Sequence, residues 1–220
     1  MKIKAVVTGV TGMVGEGVLH ECLLDPEVEA VLVVGRKPYG LTHPKLKEVI
    51  VSDFFNLSPI ESELKGYNSC FFCLGTSSIG LTEESYSRIS HDLTLNFANA
   101  FLRQNPNSVF CYVSGSGTDS SEKGKIMWAR VKGKTENDLL RLGFKAAYNF
   151  RPGYMHPTPG LKNTLPYYKY FTWTYPILRR VFPKQVTTLA ELGKAMIAID
   201  RKGTSKNTIE VPDIVALAKL

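Results

Sequence analysis

A chain of 220 residues can bury one substantial core and is short for two. Its composition, 44% hydrophobic and 21% charged, is that of an ordinary globular protein, and no apolar run approaches the roughly 18 residues of a membrane span. The net charge of +7 is confined to one end: residues 151–220 hold 11 Lys and Arg against 4 Asp and Glu, while residues 1–150 hold 16 of each, which argues against the basic stripe of a nucleic-acid-binding domain.

The opening MKIKAVVTG goes straight into a strand-like pattern, with no signal-peptide core or cleavage site. A cytoplasmic protein is expected. IKAVVTG is an apolar run ending at Gly9, and MVGEGVLHECLLD follows with helical spacing at Val14, Val18 and Cys22 until Pro26 stops it. EAVLVVG is a second buried run, ending at Gly35. LKEVIVSD is a third, ending at Asp53, and SCFFCLG a fourth, ending at Gly75. A long helix is predicted over about 82–103, a fifth strand at SVFCYVSG, a helix over about 123–142, and a sixth strand at FKAAYNF that runs into RPG. The strands are near-continuous apolar runs alternating with helices, which predicts an α/β fold with a doubly wound parallel sheet covered on both faces. Ligands of such folds bind at the carboxyl ends of the strands.

Four cysteines are present. Cys70 and Cys73 resemble a CxxC clip, but residues three apart on a strand point to opposite faces, so they cannot hold one ion together. With Cys22 and Cys111 they read as buried structural thiols. His20, His43 and His91 show no metal-ligand spacing, and no metal site is expected. Asp92 and Asn96, one turn apart on the long helix, read as structural.

Two stretches point to a cofactor. VVTGVTGMVGEGV sets Gly9, Gly12 and Gly15 three apart between a strand and a helix. The first permits a tight turn, the second a close approach of backbone to a pyrophosphate, and the third close packing of helix on strand. The helix start then faces the phosphates with N–H groups and a positive dipole end. After the second strand, where NAD is usually met by an acid, stand Arg36 and Lys37, and two cations there favour the extra phosphate of NADP. Asp53 could accept from the adenine amino group or cap the turn that follows it.

TGVTGMVG, FFCLGTSS, YVSGSGTDSS, VKGKTENDLL and NFRPGYM together resemble the short-chain dehydrogenase/reductase superfamily, in particular its small atypical branch of NmrA-like and Tat-interacting-protein-like Rossmann proteins, over residues 3 to about 155. Many bacterial members carry a sugar-nucleotide epimerase label. The resemblance implies that Thr11, Gly12, Met13 and Val14 meet the diphosphate and that Arg36 holds the 2′-phosphate. It also implies that Gly75 and Thr76 lie along the cofactor's riboses, and that Lys132 bonds the nicotinamide ribose. Pro152, Gly153 and Tyr154 would face the nicotinamide amide. The catalytic serine of the family corresponds to Ser114 or Ser116.

The departure is at position 128. The family places Tyr four residues before the Lys, and this chain has Trp128. An indole N–H donates a hydrogen bond but does not ionise in the working range, so Trp128 cannot act as general acid. Three readings stay open. Tyr154 or His156 supplies the proton, the acceptor is quinone-like and needs no strong acid, or the protein binds NADP(H) without turnover as a regulatory protein. Epimerisation ranks behind these, because the chain adds only about 70 residues beyond the sixth strand.

Those residues, 151–220, are expected to form a small helical cover on a single Rossmann-type domain spanning 1–220. Within LPYYKYFTWTYPILRRVFP, helical spacing puts Tyr167, Phe171, Tyr175, Leu178 and Phe182 on one face, with Lys169, Trp173 and Arg180 on or near the other. A lid over a small-molecule substrate is one use of this segment. A homodimer contact and a membrane-surface contact through 166–183 are the others. VTTLAELGKAMIAI predicts an amphipathic helix, and TIEVPDIVALAKL a short strand and a last helix.

Overall fold

The computed structural model describes residues 2–164 and 172–220. The chain runs β1 (Ile3–Thr8), α1 (Met13–Leu24), β2 (Val28–Gly35), β3 (Leu46–Ile50), β4 (Ser69–Phe72), α2 (Glu83–Ser87), α3 (Leu93–Gln104), β5 (Val109–Val113), α4 (Met127–Arg141), β6 (Ala146–Arg151) and β7 (Tyr154–His156). It continues through α5 (Tyr175–Val181), β8 (Val186–Thr188), α6 (Leu189–Lys202), β9 (Thr208–Glu210) and α7 (Val211–Leu217). Seven strands form one sheet in the order β3-β2-β1-β4-β5-β6-β9, with every neighbouring pair parallel. The expected doubly wound sheet is therefore present. Its direction of winding reverses between β1 and β4, and this switch point opens a crevice above their carboxyl ends.

The sheet is buried on both faces because successive side chains of each strand enter different layers. Val6, Leu32, Val34, Cys70, Phe72, Phe110 and Tyr112 belong to the layer with Phe97 and Phe101 of α3. Ala5, Val7, Val31, Val33, Phe71, Cys111 and Phe150 belong to the layer with α1 and α6. Cys70 lies in the first layer and Cys73 packs on the second, as strand alternation requires. All four thiols are unbridged, and burial pushes each above its ordinary pKa.

Two helices differ from the prediction. The long helix over 82–103 is one path containing a π-helical turn at Arg88–Asp92 between α2 and α3. This turn sets His91 against α4, with Nε2 2.8 Å from Asp138 and Nδ1 2.7 Å from Asp92. Asn96 donates to the Phe54 carbonyl at 2.7 Å, which gives it a structural role. The helix predicted from 123 starts at Met127. The preceding loop is gathered around Asp119, whose carboxylate accepts from the Ser121 amide at 3.0 Å and the Gly124 amide at 2.6 Å. A side chain that captures these amides competes with the helix for them.

Of the residues expected to form a cover, β7 and β8 make a short two-stranded parallel ribbon and α5 precedes β8, while β9 joins the main sheet. A capping box starts α6, in which Thr188 Oγ1 accepts from the Glu191 amide and the Glu191 carboxylate accepts from the Thr188 amide. Tyr167 and Phe171 of the expected aromatic face, and Lys169 of the other, lie outside the described residues. Of the rest of that face, Tyr175 stacks on His156 with ring centroids 4.1 Å apart, and Phe182 is exposed, as are Ile177 and Val181 beside it.

Candidate functional site

The crevice is built first by glycines. Gly9 has φ +72°, and a Cβ there would come within 2.7 Å of the Cys73 carbonyl. Thr8 Oγ1 fixes the same junction, accepting from the amides of Cys73 (3.2 Å) and Leu74 (3.3 Å), a tie across β1 and β4 that sequence reading missed. A Cβ on Gly15 would collide with the Gly9 carbonyl, so α1 packs directly on the turn. Gly12 differs. A Cβ there would meet only the Gly9 carbonyl, at 3.4 Å, and otherwise projects into open space. Gly12 is also the N-cap of α1 and no side chain caps that helix. The amides of the first turn are thus left facing the crevice beside Thr11, Met13 and Val14, which suits a diphosphate.

Arg36 and Lys37 follow β2 and are exposed. Asp53 accepts from the Phe55 amide at 2.8 Å. Of the two uses open to it from sequence, capping the turn is the one seen. Gly75 and Thr76 extend exposed beyond β4, and a Cβ on Gly75 would meet nothing within 4 Å. The open positions at Gly12 and Gly75 and the two cations after β2 follow the neighbouring strands β1, β4 and β2, an arrangement that fits a dinucleotide.

The other half of the site comes from β5, α4 and the RPG turn. Lys132 is half-buried, and its Nζ donates to the Ser114 carbonyl. Burial lowers its pKa to about 8, opposed by the charge of Glu136 one turn on. The structure separates the two candidate serines. Ser114 is buried, and its hydroxyl lies 2.5 Å from Glu136 Oε1 and 3.1 Å from the Phe150 carbonyl. In this geometry the hydroxyl is committed to packing and is not turned to a substrate. Ser116 is exposed, is tied by its amide to the Pro152 carbonyl at 2.9 Å, and lines a cavity of about 360 Å3 with Gly153, Tyr154, Leu178, Phe182, Gln185 and Val186. Trp128 leans on this loop, its ring edge 3.6 Å from where a Gly117 Cβ would stand. His156 is held low in pKa by burial. A larger cavity, about 470 Å3 and lined by Lys2, Lys4 and Asn68 among others, lies at the amino ends of the strands. Ligands of doubly wound sheets sit at the opposite end, so the smaller cavity is the relevant one.

Glu136, which carried no sequence signal, organises this half. It is 1% exposed and pairs with Arg151, whose Nε is 3.0 Å from Oε1. Glu136→Ala should leave the Arg151 guanidinium without its main partner and destabilise the fold by about 3–5 kcal/mol. Urea denaturation measures this, and an unmoved midpoint would show that the pair is not a lock.

No protein-family profile matches the chain. It is 31% identical over 152 residues to "Protein fmp52, mitochondrial" of Emericella nidulans, covering 66% of this chain and 64% of that protein. The chain thus spans a little under two thirds of that relative's length. Among solved structures, an ADP-L-glycero-D-manno-heptose-6-epimerase of Helicobacter pylori superposes with TM-score 0.68 at 14% identity, over 99% of this chain and 81% of that one. A short-chain dehydrogenase from Burkholderia cenocepacia in complex with NADP gives 0.63 at 17%, over 94% and 89%. The relatives' names correct the expected location. Fungal relatives from Emericella and Candida are named as mitochondrial proteins, not cytoplasmic ones. The cytoplasmic expectation rested on the opening residues, which do not fix a compartment.

Proposed function

We propose that this chain, whose fold is that of the NAD(P)-binding Rossmann enzymes of the short-chain dehydrogenase/reductase and epimerase type, is an NADP(H)-dependent oxidoreductase acting on a small carbonyl or quinone-like compound. The observation that carries the reading is the glycine cradle, open at Gly12 and flanked by Arg36 and Lys37 where a carboxylate would select NAD. The amides at the start of α1 would bind the diphosphate, Arg36 the 2′-phosphate, and Lys132 the nicotinamide ribose. The nicotinamide supplies hydride chemistry when bound. This chain contributes orientation and a proton path. Ser116 faces the cavity with a hydroxyl able to donate to a substrate oxygen, and Tyr154 lines the same space. A cavity of this size takes a small substrate and leaves little room for a nucleotide sugar. We attach a mitochondrial location to it, following the names of its relatives.

One observation favours a second reading, a non-catalytic NADP(H)-binding regulatory protein: position 128 holds an indole that cannot ionise. A turnover screen with NADPH over aldehydes, ketones and quinones separates the two. The cofactor itself is tested by Arg36→Ala, which should weaken NADPH by roughly 10–100-fold, the worth of a charge-assisted contact, and NADH far less. Equal losses in a fluorescence titration would refute the assignment.

A further inference from the structure

Glu16 is a carboxylate in the first turn of α1, 1% exposed, with no ion pair among the described residues. Three donors satisfy it. Tyr39 Oη and the Lys162 amide approach Oε1 at 2.8 and 2.9 Å, and the Asn163 amide approaches Oε2 at 2.7 Å. Two segments far apart in sequence are thereby pinned to one buried group, the loop after β2 and a strap around residue 162. The strap is also fastened to the glycine loop. The Asn163 side chain donates to the Val10 carbonyl at 3.3 Å, and Leu161 packs against the cluster of Met13 and Leu189.

This arrangement fixes where one cation goes. Lys162 is exposed, and its ammonium stands 5.8 Å from the centre of the Tyr39 ring, within cation–π range. Tyr39 follows Arg36 by three residues. Burial, reinforced by the bond to Glu16, pushes the Tyr39 phenol up to about 12, so it stays a donor to the carboxylate at neutral pH. Glu16 directs its lone pairs at the strap amides and the phenol, and the Lys162 ammonium is thereby set beside Tyr39, on the loop that carries Arg36 and Lys37.

We infer that Lys162 is a binding and specificity residue for the ribose 2′-phosphate of NADP, a third cation brought to the Arg36–Lys37 corner by a strap that Glu16 holds. The inference rests on the NADP reading above and deepens it. It assigns the strap a task in cofactor choice, whereas the sequence places residues 151–220 over the substrate.

The test titrates the wild-type chain, Lys162→Gln, Lys162→Arg and Arg36→Ala with NADPH, NADH, 2′,5′-ADP and 5′-AMP. Lys162→Gln should weaken NADPH and 2′,5′-ADP about fivefold, the scale of an exposed charge contact, and leave NADH and 5′-AMP within about twofold. Lys162→Arg should keep the preference. Glu16→Ala should cost the same selectivity, with no further loss when Lys162→Gln is added, because the strap is then already released. If Glu16→Ala does not fold, the Lys162 variants decide alone. Should Arg36→Ala discriminate between the phosphorylated and unphosphorylated ligands while Lys162→Gln does not, the strap has no part in recognition and the inference falls with the NADP reading intact. Should neither variant discriminate, the NADP reading itself fails and takes the inference with it.

Discussion

Trp128→Tyr should raise NADPH-dependent carbonyl reduction by about 10²–10⁴-fold over the wild-type rate, the usual contribution of a placed general acid. Positions 128 and 132 lie one turn apart on α4, so a phenol at 128 shares a face with Lys132. Lys132 is already half-buried and held near a pKa of 8 by desolvation. A cation in that setting favours phenolate and lowers the tyrosine pKa toward the working range. On the proposed function, Ser116, on the loop that Trp128 leans against, would complete a proton relay. Tyrosine is also smaller than tryptophan, so the change opens space beside Gly117. The measurement is NADPH consumption across a panel of aldehydes and ketones, with cofactor affinity followed in parallel. A variant that binds NADPH normally and reduces nothing would show that the relay is broken in more than one place, favouring the binding-protein reading. A wild type that is active and a slower variant would make Trp128 part of the substrate pocket and direct the search for the acid to Tyr154.

Lys132→Met should stabilise the cofactor-free protein and weaken cofactor binding. The lysine is buried at a cost, and the fall of its pKa from 10.5 to about 8 corresponds to about 3 kcal/mol of penalty on the charged form. Methionine fills a similar volume without that penalty. It also abandons the hydrogen bond to the Ser114 carbonyl, worth about 1–2 kcal/mol. The net gain is on the order of 1–2 kcal/mol, or a few degrees in Tm for a chain of this length. The sign with pH follows from linkage. The folded pKa lies below the unfolded one, so the unfolded chain binds more protons between about pH 8 and 10.5. Across that window the wild type should gain stability relative to Lys132→Met, and below pH 8 the difference should be constant. Thermal melts at several pH values measure this. A lower melting temperature for Lys132→Met at pH 7 would mean that the lysine holds the fold together and is not kept for the cofactor.

The cradle was legible in the sequence because its parts are local. Gly9, Gly12 and Gly15 lie within seven residues, and a turn that tight admits few alternatives once a buried strand precedes it and a helix follows. The position of Arg36 and Lys37 directly after β2 was legible for the same reason, since the end of that strand is set locally. The strand alternation that set Cys70 and Cys73 on opposite faces is likewise a property of the local backbone. The resemblance supplied Lys132 and the serines, but spacing could not choose between Ser114 and Ser116, which share a strand end.

Their different surroundings come from the tertiary structure. Glu136 comes from another element 22 residues on, and its carboxylate captures the Ser114 hydroxyl and leaves Ser116 to the cavity. The amide of Phe55 reaches Asp53 in the same way. Glu16, an ordinary helix residue by sequence, becomes the anchor of a strap 146 residues away. Sequence by itself determined what the periodicity and the turns impose, namely the strands, the helices, the winding of the sheet and the cofactor cradle, because these depend on neighbours within a few residues. Only the folded chain decided how the buried carboxylates are spent. A charged group withdrawn from water takes whichever donors the fold brings to it, and those donors come from segments whose meeting no local pattern records.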